Sequence, residues 1–320
     1  MTSTEMTALA TLKPFCEETQ EVQDEVFLIR VAFAIIAILG ITGNSLVLVV
    51  FYKGRELRVV PNILVGHQSL VDLILSIVLI LMVIFYFTEV TSVTISQPFL
   101  KIFLCKIWFS DYVYWAMMKV STTNLVFVTL ERYCAVVLSS KYRRSARKNI
   151  SLAICISAWF VGFLIEIYNP WMYQISEKGI CTKGLLKAGG IGGCVIALLS
   201  AMTTLIIPVF VMSYVYGSII WTLRSNHFKL SKEIPKCVRD IFTTMIIVSV
   251  AYVICWTPNT ILYLYHRLIT RLDWTYPFHR FALILAASNV CVNPLIYILK
   301  FKNFQRGLKE LVKKSPRLHT

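Results

Sequence analysis

The chain has 320 residues, of which 57% are hydrophobic and only 15% are charged. Soluble domains carry about 25% charged residues, and the mean hydropathy is +0.68, so the composition argues against a soluble enzyme or a disordered chain. Nine cysteines are too sparse for a small disulfide-stapled domain. The formal net charge of +15 does not indicate a nucleic-acid partner, because proteins that bind nucleic acids keep an ordinary content of charged residues. These numbers favour an integral membrane protein.

Long apolar stretches predict six clear membrane-spanning helices, because a helix needs about 20 apolar residues to cross a bilayer. They cover residues 31–52, 59–88, 149–165, 188–223, 241–265 and 281–299. A seventh stretch, 107–135, contains four charged residues, but its apolar residues recur at helical spacing. The sequence therefore predicts an all-α bundle of seven transmembrane helices with the two termini on opposite sides of the membrane.

The distribution of lysine and arginine predicts the orientation of these spans. The loops after spans one, three and five and the C-terminal tail hold 20 of these residues, and the opposite side holds 10. Because positive residues concentrate on the cytoplasmic side, we expect an extracellular N-terminal segment over 1–26, a membrane bundle over 27–300 and a cytoplasmic tail over 301–320.

The tail begins with an amphipathic pattern. Its apolar residues fall on one helical face and its basic residues on the other; the apolar residues are Phe301, Phe304, Leu308 and Leu311. The pattern predicts a short cytoplasmic helix that lies along an anionic membrane leaflet, with lipids as partners. A solvated basic tail is the alternative.

Polar residues and prolines inside the spans form an ordered set, and such residues usually mark function or helix pairing. In chain order they are Asn44, Asp72, Glu131, Arg132, Tyr133, Trp159, Pro208, Tyr216, Trp256, Pro258, Asn293, Pro294 and Tyr297. In this order and on these spans, the set closely resembles a class A (rhodopsin-like) G-protein-coupled receptor. The resemblance extends from about residue 27 to residue 312.

The resemblance implies a multi-pass plasma-membrane receptor without enzymatic activity. It would bind an extracellular ligand, activate heterotrimeric G proteins and, as a further partner, bind arrestin. The residues implied as the activation switch are Glu131, Arg132, Tyr133, Tyr216, Trp256, Pro258, Asn293, Pro294 and Tyr297. The prolines bend their helices and leave places where they can pivot. Arg143, Arg144, Lys232 and Lys236 are expected to face the G protein.

The resemblance also implies two structural sites. Cys105 and Cys181 match the disulfide of the family. Asp72, Ser121, Asn289 and Asn293 match the positions that line a sodium site, with Trp256 above them. One carboxylate with several oxygen ligands suits a small hard cation, so an allosteric sodium ion at Asp72 is expected; a polar network that holds water is the alternative. No other cofactor is expected.

The sequence departs from the family pattern at two places. Cys105 and Arg132 are two residues further apart than expected, so positions at the outer end of span three are uncertain in register. Val238 stands where an acidic partner of Arg132 is often found in this family. Because that ion pair is missing, we expect the inactive state to be less stable and the receptor to signal appreciably without ligand.

Candidate ligand classes follow from the residues of the outer half. Residues 281–299 contain no lysine, which argues against a retinal Schiff base. The resemblance implies that a receptor for an amine would carry a carboxylate one turn into span three, but that position falls on Tyr112 or Tyr114, with Asp111 expected to point away. Aromatic walls suit a peptide or a hydrophobic small molecule; the expected lining residues are Tyr112, Tyr114, Trp115, Met118 and Tyr263.

Two charged residues inside the bundle complete the predicted ligand site. Lys119 and Glu166 either neutralise each other as a structural ion pair or provide an anchor for a charged group of the ligand. A transporter or channel is the alternative from another class, and the small number of charges in the spans and the lack of an internal repeat argue against it.

Overall fold

The structure, a computed structural model, describes residues 3–53, 60–87, 96–138, 147–183, 190–224, 236–269, 277–300 and 302–314. Helices dominate these ranges. They are α1 (Ser3–Lys53), α2 (Val60–Phe87), α3 (Pro98–Ile107), α4 (Tyr112–Val136), α5 (Arg147–Ile165), α6 (Tyr168–Met172), α7 (Ile191–Ala201), α8 (Ile207–Arg224), α9 (Lys236–Leu268), α10 (Pro277–Lys300) and α11 (Lys302–Lys314). Two strands, β1 (Tyr173–Ile175) and β2 (Cys181–Lys183), form an antiparallel pair between α6 and α7.

Within the described residues, six helical stretches are long and apolar enough to cross a membrane. The weak third span, α4, is nevertheless a helix of 25 residues, about 37 Å long at 1.5 Å per residue. It packs against α2, α5 and α8, so its polar residues are covered by other helices. The bundle of seven helices is therefore confirmed, with α7 and α8 together forming the fifth span.

The predicted third span, 107–135, is wrong at its outer end, where the helix is interrupted. α3 ends at Ile107, and the backbone of Asp111 has a φ of +57°, a conformation that residues other than glycine rarely adopt. Cys105 consequently lies on α3 rather than on the spanning helix.

The predicted disulfide is confirmed between Cys105 on α3 and Cys181 on β2, whose Cα atoms are 5.5 Å apart. A second contact holds the hairpin to α3, because Lys106 Nζ donates to the carbonyl oxygen of Tyr173 at 2.5 Å. Burial and the nearby Asp111 raise the pKa of Tyr173 to about 12, so its phenol stays neutral at physiological pH.

The fifth span contains a change of helix type that the apolar run 188–223 does not reveal. The five residues Met202–Ile206 form a π-helical segment between α7 and α8. A π segment shifts the direction of the side chains that precede it relative to those that follow. It therefore decides which polar residues of α7 point into the bundle.

The C-terminal helix α11 confirms the predicted amphipathic helix. Phe304 is fully buried, and its ring centroid is 6.4 Å from that of Phe51 on α1. Gln305 Nε2 donates to the carbonyl oxygens of Ile298 and Leu299 at 2.9 and 3.0 Å, which joins α11 to the end of α10. Part of the apolar face therefore packs against the bundle, and the placement of Phe301 lies outside the described residues.

Candidate ligand-binding site

A cavity of about 480 Å³ lies among the helices of the bundle, lined by residues of α1, α2, α4, α6, α7, the π segment, α9 and α10 together with the turns beside them. This volume is within the usual range of ligand pockets, about 300–1,000 Å³. Aromatic rings provide much of the wall; they include Tyr114, Trp115, Tyr168, Trp256 and Tyr263.

Five of the seven residues predicted to bind the ligand line this cavity: Tyr114, Trp115, Lys119, Glu166 and Tyr263. The other two do not. Tyr112 turns toward α5, where its hydroxyl donates to the carbonyl oxygen of Phe163 at 3.1 Å and its ring packs edge-on against the Phe163 ring. Met118 is buried in the core. Successive residues of a helix point about 100° apart. The five predicted residues on α4 therefore cannot all point to the same side of the helix.

The two unusual charges of the spans form an ion pair in the cavity wall. Lys119 Nζ lies 3.6 Å from Glu166 Oε1, and both side chains are 3% exposed. Each charge also has neutral partners. Lys119 Nζ donates to Thr204 Oγ1, to Thr203 Oγ1 at 3.2 Å and to the Ser200 carbonyl oxygen at 3.3 Å. The structure thus brings the two charges together, at a place where a ligand can reach both.

Sequence reasoning missed several polar residues of this wall. Asn169 Nδ2 donates to Glu166 Oε2 at 3.1 Å, and Ser200 and Thr204 line the cavity. The signal was the run of polar residues just before Pro208 in an otherwise apolar span. Hydropathy averages hide such a run, but the cost of placing polar groups in a membrane makes it informative.

Further charges surround the cavity. Asp111 lines it, which corrects the expectation that Asp111 points away. Its left-handed backbone at the start of α4 directs the side chain differently from a residue inside the helix. Arg30 of α1 and His279 of α10 line the same space. The cavity consequently presents both signs of charge beside its aromatic rings.

Trp256 lies in the lining of the cavity, two residues before Pro258 within α9. Its side chain is buried, and in the described part of the chain its Nε1 atom has no hydrogen-bond partner. One turn away, the hydroxyl of Tyr252 donates to the carbonyl oxygen of Thr204 and lies 3.2 Å from Thr122 Oγ1. A single buried hydroxyl therefore joins spans three, five and six directly beneath the cavity.

The residues predicted to bind sodium come together only in part. Asp72 is fully buried, and its carboxylate accepts hydrogen bonds from Ser121 Oγ and Asn293 Nδ2, both at 2.8 Å. Asn289 is buried but is not among the described hydrogen-bond donors to Asp72. Gln68 Nε2, which was not predicted, lies 3.1 Å from both carboxylate oxygens. Two amide groups and the Ser121 hydroxyl direct hydrogens at Asp72 rather than offering oxygen ligands beside it, and this arrangement does not fit a sodium ion.

At the predicted cytoplasmic end, Arg132 Nε lies 3.3 Å from Glu131 Oε2. Tyr216 OH lies 2.9 Å from Ser249 Oγ on α9 and 3.2 Å from Thr129 Oγ1 on α4. These contacts place the two implied switch elements, spans three and five, against span six. Tyr133 is partly buried in the last turn of α4, and Tyr297 is buried on α10.

The last span approaches the first closely at Pro294, a proline inside α10. A Cβ atom at Gly43 would lie 2.9 Å from Pro294 Cγ, so only a residue without a side chain fits there. Asn293 precedes this proline and points to Asp72. The basic residues expected to face a G protein, Arg143, Arg144, Lys232 and Lys236, lie outside the described side chains.

Comparisons with known proteins agree with this architecture. The family model of the 7 transmembrane receptor (rhodopsin family) matches residues 43–297. The bombesin receptor subtype-3 of Ovis aries is 26% identical over 304 residues, which cover 88% of this chain and 73% of that protein. A bombesin receptor of Bombina orientalis is 24% identical over 313 residues, 89% of this chain and 76% of that protein. The matched family is one of receptors rather than enzymes, and this chain belongs to the rhodopsin family of seven-transmembrane receptors.

Proposed function

We propose that this G-protein-coupled receptor lies in the plasma membrane with its N-terminus outside, binds an extracellular peptide and has no enzymatic activity. The observation that carries the proposal is the chemistry of the cavity, where aromatic rings stand beside charges of both signs. A peptide offers apolar side chains and both kinds of charged group, whereas a lipid or a simple amine offers fewer of these partners. Two relatives of this chain are bombesin receptors by name.

The volume of the cavity limits how much of a peptide it accommodates. A cavity of about 480 Å³ holds a few side chains, so one end of the ligand enters and the remainder lies outside, near the β1–β2 hairpin. Trp256 is placed to sense the inserted end, because it lines the cavity next to the bend at Pro258. In the signalling state, α9 would swing outward about Pro258. A ligand that binds this arrangement more tightly than the resting one shifts the population toward the signalling state.

On the cytoplasmic side, we propose that the opening between the helices accepts a heterotrimeric G protein, with arrestin as a second partner of the same surface. Release of Arg132 from Glu131 would make its guanidinium available to the partner.

The basic face of α11 would rest on anionic lipid, since Arg306 and Lys309 are exposed opposite the buried Phe304, a distribution that suits an interfacial helix.

The test is nucleotide exchange on purified G proteins in membranes that contain the full chain, challenged in parallel with peptide, amine and lipid libraries. Exchange in response to peptides supports the proposal. A response confined to amines or lipids contradicts the peptide assignment, and solute flux without exchange contradicts the receptor function.

A substitution in the cavity connects such a response to this site. Trp115→Ala removes an aromatic wall residue and should lower the potency of an active peptide at least about tenfold, the effect of losing a buried aromatic contact. Trp221→Ala is the matched control, because Trp221 on α8 is 75% exposed. Equal potency for the two variants would place peptide binding elsewhere.

A further inference from the structure

The carboxylate of Asp72 is surrounded by hydrogen-bond donors from three helices. Ser121 on α4 and Asn293 on α10 each donate one hydrogen bond at 2.8 Å. Gln68, one turn before Asp72 on α2, places Nε2 at 3.1 Å from both oxygens and donates to Ser121 Oγ at 2.6 Å. Hydrogen bonds to an ionised carboxylate are strong, so these neutral groups stabilise its charge.

The direction of the Gln68 amide is determined by a backbone acceptor. Asn124 Nδ2 lies 3.3 Å from the carbonyl oxygen of Leu64, and a carbonyl oxygen can only accept. The same Nδ2 donates to Gln68 Oε1 at 2.7 Å. The oxygen of Gln68 is therefore held toward Asn124, and its NH₂ group is held toward Asp72.

Two aromatic side chains extend this chain of hydrogen bonds to span four. The Trp159 indole donates from Nε1 to His67 Nε2 at 2.9 Å. An indole cannot accept in its ring plane, so Nε2 of the imidazole is the acceptor and Nδ1 carries the hydrogen. His67 Nδ1 then donates to Asn124 Oδ1 at 2.8 Å. Each member fixes the direction of the next, from Trp159 through to Asp72.

We infer that the Gln68 amide takes the place of a cation beside Asp72, so that this receptor binds no sodium ion in its core. Hard cations need oxygen ligands, but the amide presents hydrogens, and Ser121 Oγ already accepts one of them. An ion could enter only if the Gln68 side chain moved away from Asp72. Asn124 would then lose its hydrogen bond to Gln68, and both of these residues are buried. Leaving buried polar groups unpaired is unfavourable.

The inference is tested on the purified full chain in detergent, without any agonist. The measurement is the midpoint of thermal unfolding, followed with a thiol-reactive dye that reports the free cysteines Cys155, Cys255 and Cys291, in sodium chloride and in choline chloride of equal ionic strength. A ligand that binds only the folded state raises this midpoint. The variants are Gln68→Leu, Asp72→Asn, the two combined, and Gln174→Leu as a control in the exposed part of β1.

We expect the natural chain and the Gln174→Leu control to unfold at the same midpoint in both salts. Gln68→Leu should unfold about 2 °C or more higher in sodium chloride, and adding Asp72→Asn should abolish that difference. A sodium-dependent midpoint in the natural chain that Asp72→Asn removes would overturn the inference. Indifference of Gln68→Leu to sodium would also overturn it, because Gln68 would then not be what excludes the ion. Should Gln68→Leu not be recovered folded, Gln68→Ala is read in the same way.

Discussion

At the scale of single residues, the buried pair Lys119–Glu166 is the most consequential feature of the cavity. The 3.6 Å separation shows that the two charges form an ion pair, but each charge has different hydrogen-bond partners. Lys119 points to the carbonyl oxygen of Ser200, whereas Glu166 accepts from Asn169. A swapped pair would place a carboxylate against that carbonyl oxygen, so exchanging the two residues is a poor test of pairing.

Removing one charge of this pair should be far more harmful than removing both. Lys119→Met leaves Glu166 buried without its counter-charge and should lower the free energy of unfolding by about 3–5 kcal/mol. Lys119→Met with Glu166→Gln should recover most of the loss, since the Gln can still accept from Asn169. Thermal unfolding and surface expression measure both variants, with the exposed Lys178→Met as control. A double variant no more stable than the single one would contradict the structural role of the pair.

The hydroxyl of Tyr252 offers a second test at this scale. Tyr252→Phe removes the hydrogen bonds with Thr122 Oγ1 and with the carbonyl oxygen of Thr204, and it should cost about 1–3 kcal/mol because both buried groups lose a partner. Since these bonds tie span six to spans three and five, nucleotide exchange without ligand should rise. Tyr214→Phe, at a position 63% exposed, should change neither quantity. Reduced stability without increased exchange would mean that the hydroxyl stabilises both receptor states equally.

At the scale of elements, the contact between α4 and α5 depends on a glycine. A Cβ atom at Gly162 would lie 2.6 Å from the backbone nitrogen of Val120 and 2.9 Å from its Cα, so the two helices could not keep their distance. This close approach brings Glu166, which follows the last residue of α5, within reach of Lys119. The glycine therefore positions the ion pair as well as the helices.

Gly162→Ala should accordingly lower the free energy of unfolding by about 1–3 kcal/mol through overpacking. Gly217→Ala on α8 is the matched control, because a Cβ atom there meets nothing within 4 Å, and alanine favours a helix over glycine by about 1 kcal/mol. The unfolding midpoints of the two variants should thus move in opposite directions. If both move upward, the helices are free to separate at Gly162.

The elements also show where sequence patterns have limits. Hydropathy located the spans, yet it began the third span at residue 107, before the turn that ends at Asp111, and gave no sign of the π segment Met202–Ile206. Both features change the direction of side chains without changing the apolar content of a window. For this reason the sequence did not resolve that Tyr112 and Met118 lie away from the cavity while Asp111 lines it.

At the scale of the whole molecule, the balance between resting and signalling states depends on how span six is held. Contacts from Tyr216 to Ser249 and from Tyr252 to Thr122 hold the described part of α9. At the start of α9, Val238 replaces an acidic residue that could hold Arg132, and its side chain lies outside the described part of the chain. The prediction of appreciable basal signalling still depends on the sequence.

Val238→Glu should supply the missing partner and lower nucleotide exchange in the absence of ligand. The measurement compares membranes that hold the natural chain, Val238→Glu and the conservative Val238→Ile, with empty membranes as the baseline. The natural chain and Val238→Ile should both exceed the baseline. No exchange above empty membranes by the natural chain would contradict the prediction, since span six would then be held without an acid.

The sequence by itself determined the membrane class, the number of spans and the family. These depend on transfer free energy summed over long windows and on motifs such as Glu131-Arg132-Tyr133 and Asn293-Pro294, which need only order along the chain. Only the tertiary structure decided which side chains meet. In the sequence, Gln68 and Asn124 look like ordinary polar residues, and only helix packing directs the Gln68 amide toward Asp72. The direction of a side chain depends on helix phase and on neighbours far away in sequence.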